Sequence, residues 1–228
     1  MEAFFIFAVI ILVGVGIYVG FVLEKQRRDA LSRFADSCGL SFSADDPFNL
    51  PGRLGHISTF NQGHSRRASN VLWGAYRDRE FIAFDYKYTT GSGKNQHTYH
   101  LSACCHPLEC RFPSLLIRHE GIFDKVADFL GFEDIDFESD EFSRKFRVKS
   151  DDRKFAYDVC HPQMMEWLLG HQGWKFEMLG GYFVLTTGSR WSVEQFLSAL
   201  EFTSKFFEMI PEFVRREYAE RAQTRADT

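Results

Sequence analysis

The chain has 228 residues and a formal net charge of −4, from 27 Lys and Arg against 31 Asp and Glu. A chain without a basic excess lacks the electrostatic term on which nonspecific nucleic-acid binding relies, so we expect no nucleic-acid partner. Phenylalanine is over-represented, at 25 residues. Because aromatic rings bury a large apolar area, this predicts a Phe-rich core, with a Phe-lined ligand pocket as the alternative.

The first predicted element is a transmembrane helix over residues 3–23. This segment contains no charged, amide or proline residue and no Ser or Thr. At about 1.5 Å per residue it reaches roughly 31 Å, which is close to the hydrocarbon thickness of a bilayer. The sequence therefore predicts a single-pass protein whose first partner is the lipid bilayer.

Residues around the span predict its orientation. Lys25, Arg27, Arg28 and Arg33 follow the span and no basic residue precedes it, and flanking basic residues remain on the cytoplasmic side. The start lacks the basic region and cleavage site of a signal peptide, so we expect an uncleaved anchor. The five cysteines, an odd number without disulfide spacing, fit a reducing compartment. We expect a protein of the cell inner membrane, with its N-terminus outside and its C-terminal domain in the cytoplasm.

Two glycines inside the span predict a packing face. Gly16 and Gly20 form a GxxxG pattern, which places both glycines on one side of a helix and permits close approach of a second helix. This favours a homodimer through the span. Chance is the alternative, since glycine is common in membrane helices.

Residues 24–50 predict a juxtamembrane helix and a linker. Leu31, Phe34 and Ala35 fall at helical spacing among charges, and Gly39 follows where helices commonly end. Residues 51–222 are expected to form a cytosolic α+β domain, with two subdomains divided near 115–140 as an alternative. Residues 223–228 are expected to fray.

Alternation and turn residues predict the strands. A three-stranded antiparallel meander is expected over 70–105, with turns at 77–80 and 89–95, and a short strand at 56–60 joins it. Further strands are expected at 115–118 and 142–148. The clearest hairpin covers 174–187, because Gly180 and Gly181 supply the positive φ values of a two-residue turn.

Helices are expected at 121–130, 153–159 and 162–169, with a last helix that Ser192 caps and Pro211 interrupts. The fold class is therefore α+β: an N-terminal transmembrane helix followed by a mainly antiparallel sheet with packed helices.

The polar residues before and within the meander predict an anion-binding patch. Arg66, Arg67 and Asn70 precede it, and Lys94 joins them if the hairpin folds back. Arginine's forked donors suit carboxylate or phosphate recognition. Residues 91–94 (Gly-Ser-Gly-Lys) lack the earlier Gly and the following Ser or Thr of a phosphate loop, so a hairpin tip is expected there instead.

Several His and Cys residues are dense enough to consider a metal site. Residues four apart on a strand are about 13 Å apart, and no Cys-x-x-Cys pair closes a zinc site. We expect neither a metal nor another cofactor, and the acidic run at 133–141 lacks the Gly and Glu of a calcium loop. No catalytic residue is predicted, because no nucleophile elbow or zinc-protease helix is present. The metal candidates are His97, His100, Cys104, Cys105, His106, Cys110, Cys160 and His161.

Residues 70–74, 84–88, 91–94 and 141–143 carry a resemblance. There the chain resembles uncharacterised bacterial proteins with an N-terminal span and a cytosolic α+β domain. The resemblance implies an inner-membrane setting and assigns no activity, cofactor or site residue.

The favoured hypothesis is a membrane-anchored, non-enzymatic interaction module that binds another membrane or membrane-associated protein. The first alternative is a ligand sensor or hydrolase with a dispersed site that uses His and Cys of the third meander strand. The second is a lipid-headgroup sensor that uses the juxtamembrane arginines with Arg66 and Arg67.

Overall fold

The computed structural model describes residues 2–108, 110–120 and 132–226, so the helix expected at 121–130 lies outside the described residues. Seven helices and eight strands occur in the described part. The helices are α1 (Glu2–Ser37), α2 (Leu50–Arg53), α3 (Asp140–Lys145), α4 (Arg153–Val159), α5 (Pro162–Gly170), α6 (Val193–Met209) and α7 (Glu212–Ala226). The strands are β1 (Ser41–Asp45), β2 (His64–Tyr76), β3 (Arg79–Thr90), β4 (His97–Pro107), β5 (Leu115–His119), β6 (Phe146–Ser150), β7 (Lys175–Leu179) and β8 (Tyr182–Thr186).

The eight strands form one sheet in the order β1-β2-β3-β4-β8-β7-β5-β6. Every neighbouring pair is antiparallel. The predicted α+β class, with a mainly antiparallel sheet and packed helices, is confirmed. Strands before and after residues 115–140 belong to this one sheet, and the domain boundaries stay a prediction.

Local turn chemistry builds the hairpins. Gly180 and Gly181 join β7 to β8 with φ values of 59° and 84°, as the two-residue turn requires. Arg77 and Asp78 join β2 to β3 with φ values of 48° and 61°. The predicted meander and the Gly-Gly hairpin are therefore confirmed.

One expected strand was wrong, and another begins later than predicted. Residues 58–60 form a 3₁₀ turn, because Phe60 turns inward to the core and its carbonyl accepts a hydrogen bond from the Tyr86 hydroxyl at 2.8 Å. The strand expected at 142–148 begins only at Phe146, since the Ser139 side chain caps α3 by accepting from the Phe142 amide.

Helices cover one face of the sheet and a short segment covers part of the other. The helical layer buries a cluster rich in phenylalanine, including Phe176, Phe183 and Phe206. On the opposite face, α2 and the 3₁₀ turn at 58–60 cover Phe84 and Tyr86. The core is therefore aromatic on both sides of the sheet.

A buried polar cluster fixes the smaller cover to the sheet. Glu177 on β7 is 1% exposed, and it accepts hydrogen bonds from Ser58 at 3.2 Å and Thr59 at 2.8 Å. Lys175, also buried, donates to the Thr59 hydroxyl at 2.9 Å. Since these polar atoms bond one another, the cluster has a structural role.

The first helix continues without a break from the predicted span into the domain. Its apolar window has a mean hydropathy of 2.9 and no part of it is buried in the protein, so by length and composition this helix can span a membrane. Its C-terminal turns bury Leu31, Phe34 and Ala35 in the core. The juxtamembrane helix expected after residue 24 is therefore the end of the same helix.

Candidate functional site at the membrane junction

The helix that carries the span is held to the sheet by Arg27. Its Nε and Nη2 atoms each lie 2.7 Å from one carboxylate oxygen of Asp85, in a two-pronged ion pair. Its Nη1 donates to the Trp191 carbonyl, also at 2.7 Å. One side chain four residues after the apolar segment thus contacts both β3 and the loop before α6.

Asp85 is the centre of this contact and is 3% exposed. It also accepts a hydrogen bond from Ser102 on β4 at 2.6 Å and from the Asn70 amide on β2 at 2.9 Å. Three adjacent strands therefore supply the residues that surround the Arg27 side chain of α1.

A second ion pair lies beside the first. Arg190, in the loop between β8 and α6, donates to Asp85 Oδ2 at 3.1 Å and to both carboxylate oxygens of Glu24 on α1. We call Glu24, Arg27, Asp85 and Arg190 the junction. Its two cations and two anions balance, as buried charge requires.

The loop that carries Arg190 is itself fixed. The Trp191 amide donates to the Ser102 hydroxyl at 3.0 Å, and the Ser102 amide donates to the Ser189 carbonyl at 2.9 Å. Ser192 and Gln195 then form a capping box at the start of α6. The predicted Ser192 cap is confirmed, and the loop enters the junction with little freedom.

The pKa shifts indicate that Asp85 holds α1 to the sheet and does not act as an acid-base group. Burial alone raises the pKa of Asp85, but hydrogen bonds from Arg27, Ser102 and Asn70, with the Arg27 charge, hold it below the ordinary value. Arg190 behaves similarly: burial lowers its pKa, and Glu24 and Asp85 raise it above the usual range. Because all these donors point at the Asp85 carboxylate, its lone pairs are engaged and it is poorly placed to accept a substrate proton.

The predicted anion-binding residues have different partners in the structure. Asn70 is buried in contact with Asp85. Arg66 donates to the Asn61 side chain and the Gly63 carbonyl, and Arg67 pairs with Asp45 at 3.0 Å. Lys94 lies in the exposed turn between β3 and β4. Anion binding by the three basic residues stays a prediction, and Asn70 belongs to the junction.

The sequence analysis assigned Arg27 to topology and to possible lipid contacts, and it did not single out Asp85 or Arg190. A signal was present: Asp85 interrupts an otherwise aromatic and apolar stretch at 81–86. A charged residue on a strand expected to be buried requires a partner of opposite charge. That partner lies 58 residues earlier in the chain, where spacing gives no indication.

The His and Cys candidates do not converge in the part of the chain that the structure describes, where no group of three or more possible metal ligands is found. All five cysteines are free. Burial raises the pKa of Cys104 to about 12 and the pKa values of Cys105 and Cys160 well above the usual range. Thiols held neutral in this way are weak nucleophiles and weak metal ligands.

The predicted packing face of the span is open. No atom outside the helix's own backbone lies within 4 Å of a Cβ added at Gly16 or Gly20. A second helix therefore has space to approach there, and dimerisation through this face stays a prediction.

No known protein-family model matches the chain, and no curated protein matches it by sequence. Among solved structures, the chain is similar to the crystal structure of the mycobacterial trehalose monomycolate transport factor A, TtfA. The identity is 14%, the TM-score is 0.57, and the match covers 82% of this chain and 96% of that chain. At this identity the similarity shows a shared fold.

Proposed function

We propose that the protein is a membrane-anchored, non-catalytic interaction module that holds its domain in a fixed position beside another membrane protein. The junction is the observation that carries this proposal. A domain on a flexible linker samples many orientations, whereas here a continuous helix and three ion pairs connect span and sheet.

Fixed placement favours partner binding at the membrane. A span confines the domain to two dimensions and raises its effective concentration toward other membrane proteins. A rigid connection also removes part of the orientational cost of docking. The fold shared with a protein named as a transport factor supports a partner that belongs to a membrane transport assembly.

We further propose that the bacterial inner membrane holds the span and that the domain lies in the cytoplasm. The basic residues after the span and the five free cysteines support this orientation. Protease added to the outside of spheroplasts is expected to leave the C-terminal domain intact. Digestion of the domain in sealed spheroplasts would reverse the orientation.

The test of partner binding separates tethering from rigid placement. The full-length chain, tagged at its C-terminus, is crosslinked in membranes, solubilised in mild detergent and purified, and crosslinked membrane proteins are identified by mass spectrometry. We expect one membrane partner at constant ratio. A variant with a flexible Gly-Ser linker inserted between Leu23 and Glu24 retains both span and domain, and we expect it to lose most of this partner.

The control carries the same linker after Thr228, where it leaves the continuous helix between span and domain intact, and should recover the partner in full. Repeated recovery of the wild-type chain without a partner contradicts the interaction module. Equal recovery by both linker variants contradicts rigid placement as the reason for binding.

A further inference from the structure

Three strands continue past the junction on its membrane side. In the row that contains Asp85, its neighbours are Ser69 on β2 and Ser102 on β4. Two residues further along β3, Lys87 lies directly opposite Arg67 on one side and His100 on the other. Residues directly opposite in a sheet project from the same face, so three basic side chains form a row next to the junction.

This row is unusual because like charges directly opposite one another destabilise a sheet. Lys87 and His100 are exposed. Burial, followed by the charges of Arg190 and Lys87, lowers the pKa of His100 below its ordinary value against the opposing charges of Glu24 and Asp85, so the repulsion in this row is between Lys87 and Arg67. An external anion relieves this repulsion.

The surrounding segments contain no acidic residue. Residues 61–69 and 86–101, which form this end of the sheet, contain Arg66, Arg67, Lys87 and Lys94 with His64, His97 and His100, and no Asp or Glu. The nearest acids have partners: Asp45 pairs with Arg67, and Glu24 and Asp85 belong to the junction. We call these two segments the basic end.

Two contacts orient the basic end relative to the span. Leu40, just after α1, lies against Gly74, whose ideal Cβ position is 3.2 Å from the Leu40 Cδ2 atom, and Gly74 pairs with Phe81. Arg27 meets Asp85. Moving from Ser37 to Arg27 advances about 15 Å along the helix, and moving from Phe81 to Asp85 advances about 13 Å along β3. The axes of α1 and β3 therefore lie nearly side by side, and the two elements run antiparallel.

Beyond the contact of Arg27 with Asp85, the basic row on the strand and the apolar segment on the helix begin at similar distances. From Asp85 to Lys87, β3 advances about 7 Å, and α1 advances about 6 Å from Arg27 to Leu23, where the apolar segment begins. The interfacial region on each side of a bilayer is roughly 5–8 Å thick. The row of Arg67, Lys87 and His100 is therefore level with the end of the apolar segment, at the depth of the lipid headgroups.

We propose that the basic end binds the phosphate groups of anionic lipids in the leaflet next to the domain, through Arg67 and Lys87. The position of the basic end along the bilayer normal favours lipid as its ligand, since the span brings this surface to the headgroups in every copy of the protein. Charge selects anionic lipid, because basic groups near an anionic membrane surface are attracted to it. The inference goes beyond the proposed function and requires no protein partner.

The test uses the full-length chain in nanodiscs of phosphatidylcholine alone or of phosphatidylcholine and phosphatidylglycerol in equal parts. Hydrogen exchange is followed by mass spectrometry in peptides covering 86–100, with peptides covering β7 and β8 as the internal reference. In anionic nanodiscs we expect the hairpin amides to exchange about tenfold more slowly than in neutral nanodiscs. We expect salt at about 0.5 M to remove the difference.

Matched variants assign the effect to the row. R67Q/K87Q is expected to lose most of the slowing, whereas R77Q/K205Q removes the same charge at the opposite end of the molecule and is expected to retain it. Unchanged exchange in β7 and β8 shows that each variant is folded. The salt dependence of the wild-type chain tests the proposal without any variant.

Three results would overturn the proposal. They are equal exchange of the hairpin in the two kinds of nanodisc, full slowing in R67Q/K87Q, and the same slowing produced by inorganic phosphate in neutral nanodiscs. The last result would assign the surface to a soluble anion. None of these results depends on whether a membrane partner is recovered by crosslinking. The lipid proposal can therefore be refuted without refuting the interaction module, and the reverse also holds.

Discussion

Replacing Asp85 by Asn removes the central charge of the junction while preserving the shape of the side chain. The amide cannot pair with Arg27 or Arg190, whose side chains are 18% and 31% exposed, so both cations lose a buried counterion. Breaking a fully buried pair costs about 3–5 kcal/mol, and the partial exposure of the arginines reduces this to about 2–4 kcal/mol.

The assay is urea unfolding of the full-length chain in detergent micelles, followed by tryptophan fluorescence. With a slope of about 2 kcal/mol per molar urea, the midpoint of D85N is expected to fall by about 1 M or more. The control is D78N, the same chemical change in an exposed turn at the other end of β3, where φ is 61° and Asn is well tolerated. Its midpoint should remain unchanged.

A double-mutant cycle with R27M distinguishes the ion pair from general damage. If the pair stabilises the fold as described, D85N and R27M are coupled by about 1 kcal/mol or more. Additive effects of the two substitutions, or equal midpoints for D85N and D78N, would refute the reasoning that the junction connects α1 to the sheet.

Three further results are expected. The pKa of Asp85 is lower in the folded protein than its ordinary 3.8, so the stability that its charge provides is complete above about pH 4 and is lost as the pH falls through the folded pKa. The unfolding free energies of wild type and D85N should therefore converge below about pH 4. A constant difference down to about pH 2 would contradict this. A brief pulse of a thiol reagent on the native protein should modify Cys38 and Cys110. The buried cysteines should react only after denaturation, namely Cys104, Cys105 and Cys160. Early labelling of any buried thiol would show that the core opens. Gly16→Leu with Gly20→Leu should abolish self-association of the span in a membrane assay, whereas Gly14→Leu, on another side of the helix, should not; equal association of all three proteins would exclude this face.

Elements encoded by local chemistry were predictable from the sequence. The Gly180-Gly181 turn, the Ser192 cap and the strands of the meander each depend on residues within a few positions of one another. The order of the strands in the sheet was not predictable from the sequence, since β7 and β8 are inserted between β4 and β5. That pairing depends on contacts between residues far apart in the chain, which periodicity does not encode.

The candidate site shows the same division. The basic residues after the span are visible in the sequence, but which residues Arg27 contacts depends on the tertiary fold. Asn70 was predicted to contact an external anion, whereas in the structure it donates to Asp85. The amide of a residue can bind an internal carboxylate as well as an external one, and only the fold selects between them.

The uninterrupted first helix has a mechanical consequence. Because no hinge separates the bilayer segment from the sheet, any force that a bound protein applies to the domain must rotate the whole helix within the lipid. A tilt imposed on one side of the bilayer is thereby transmitted to the N-terminus on the other. With α1 placed across a bilayer, the domain and the N-terminal end of the helix are the two arms of a lever whose fulcrum is the membrane.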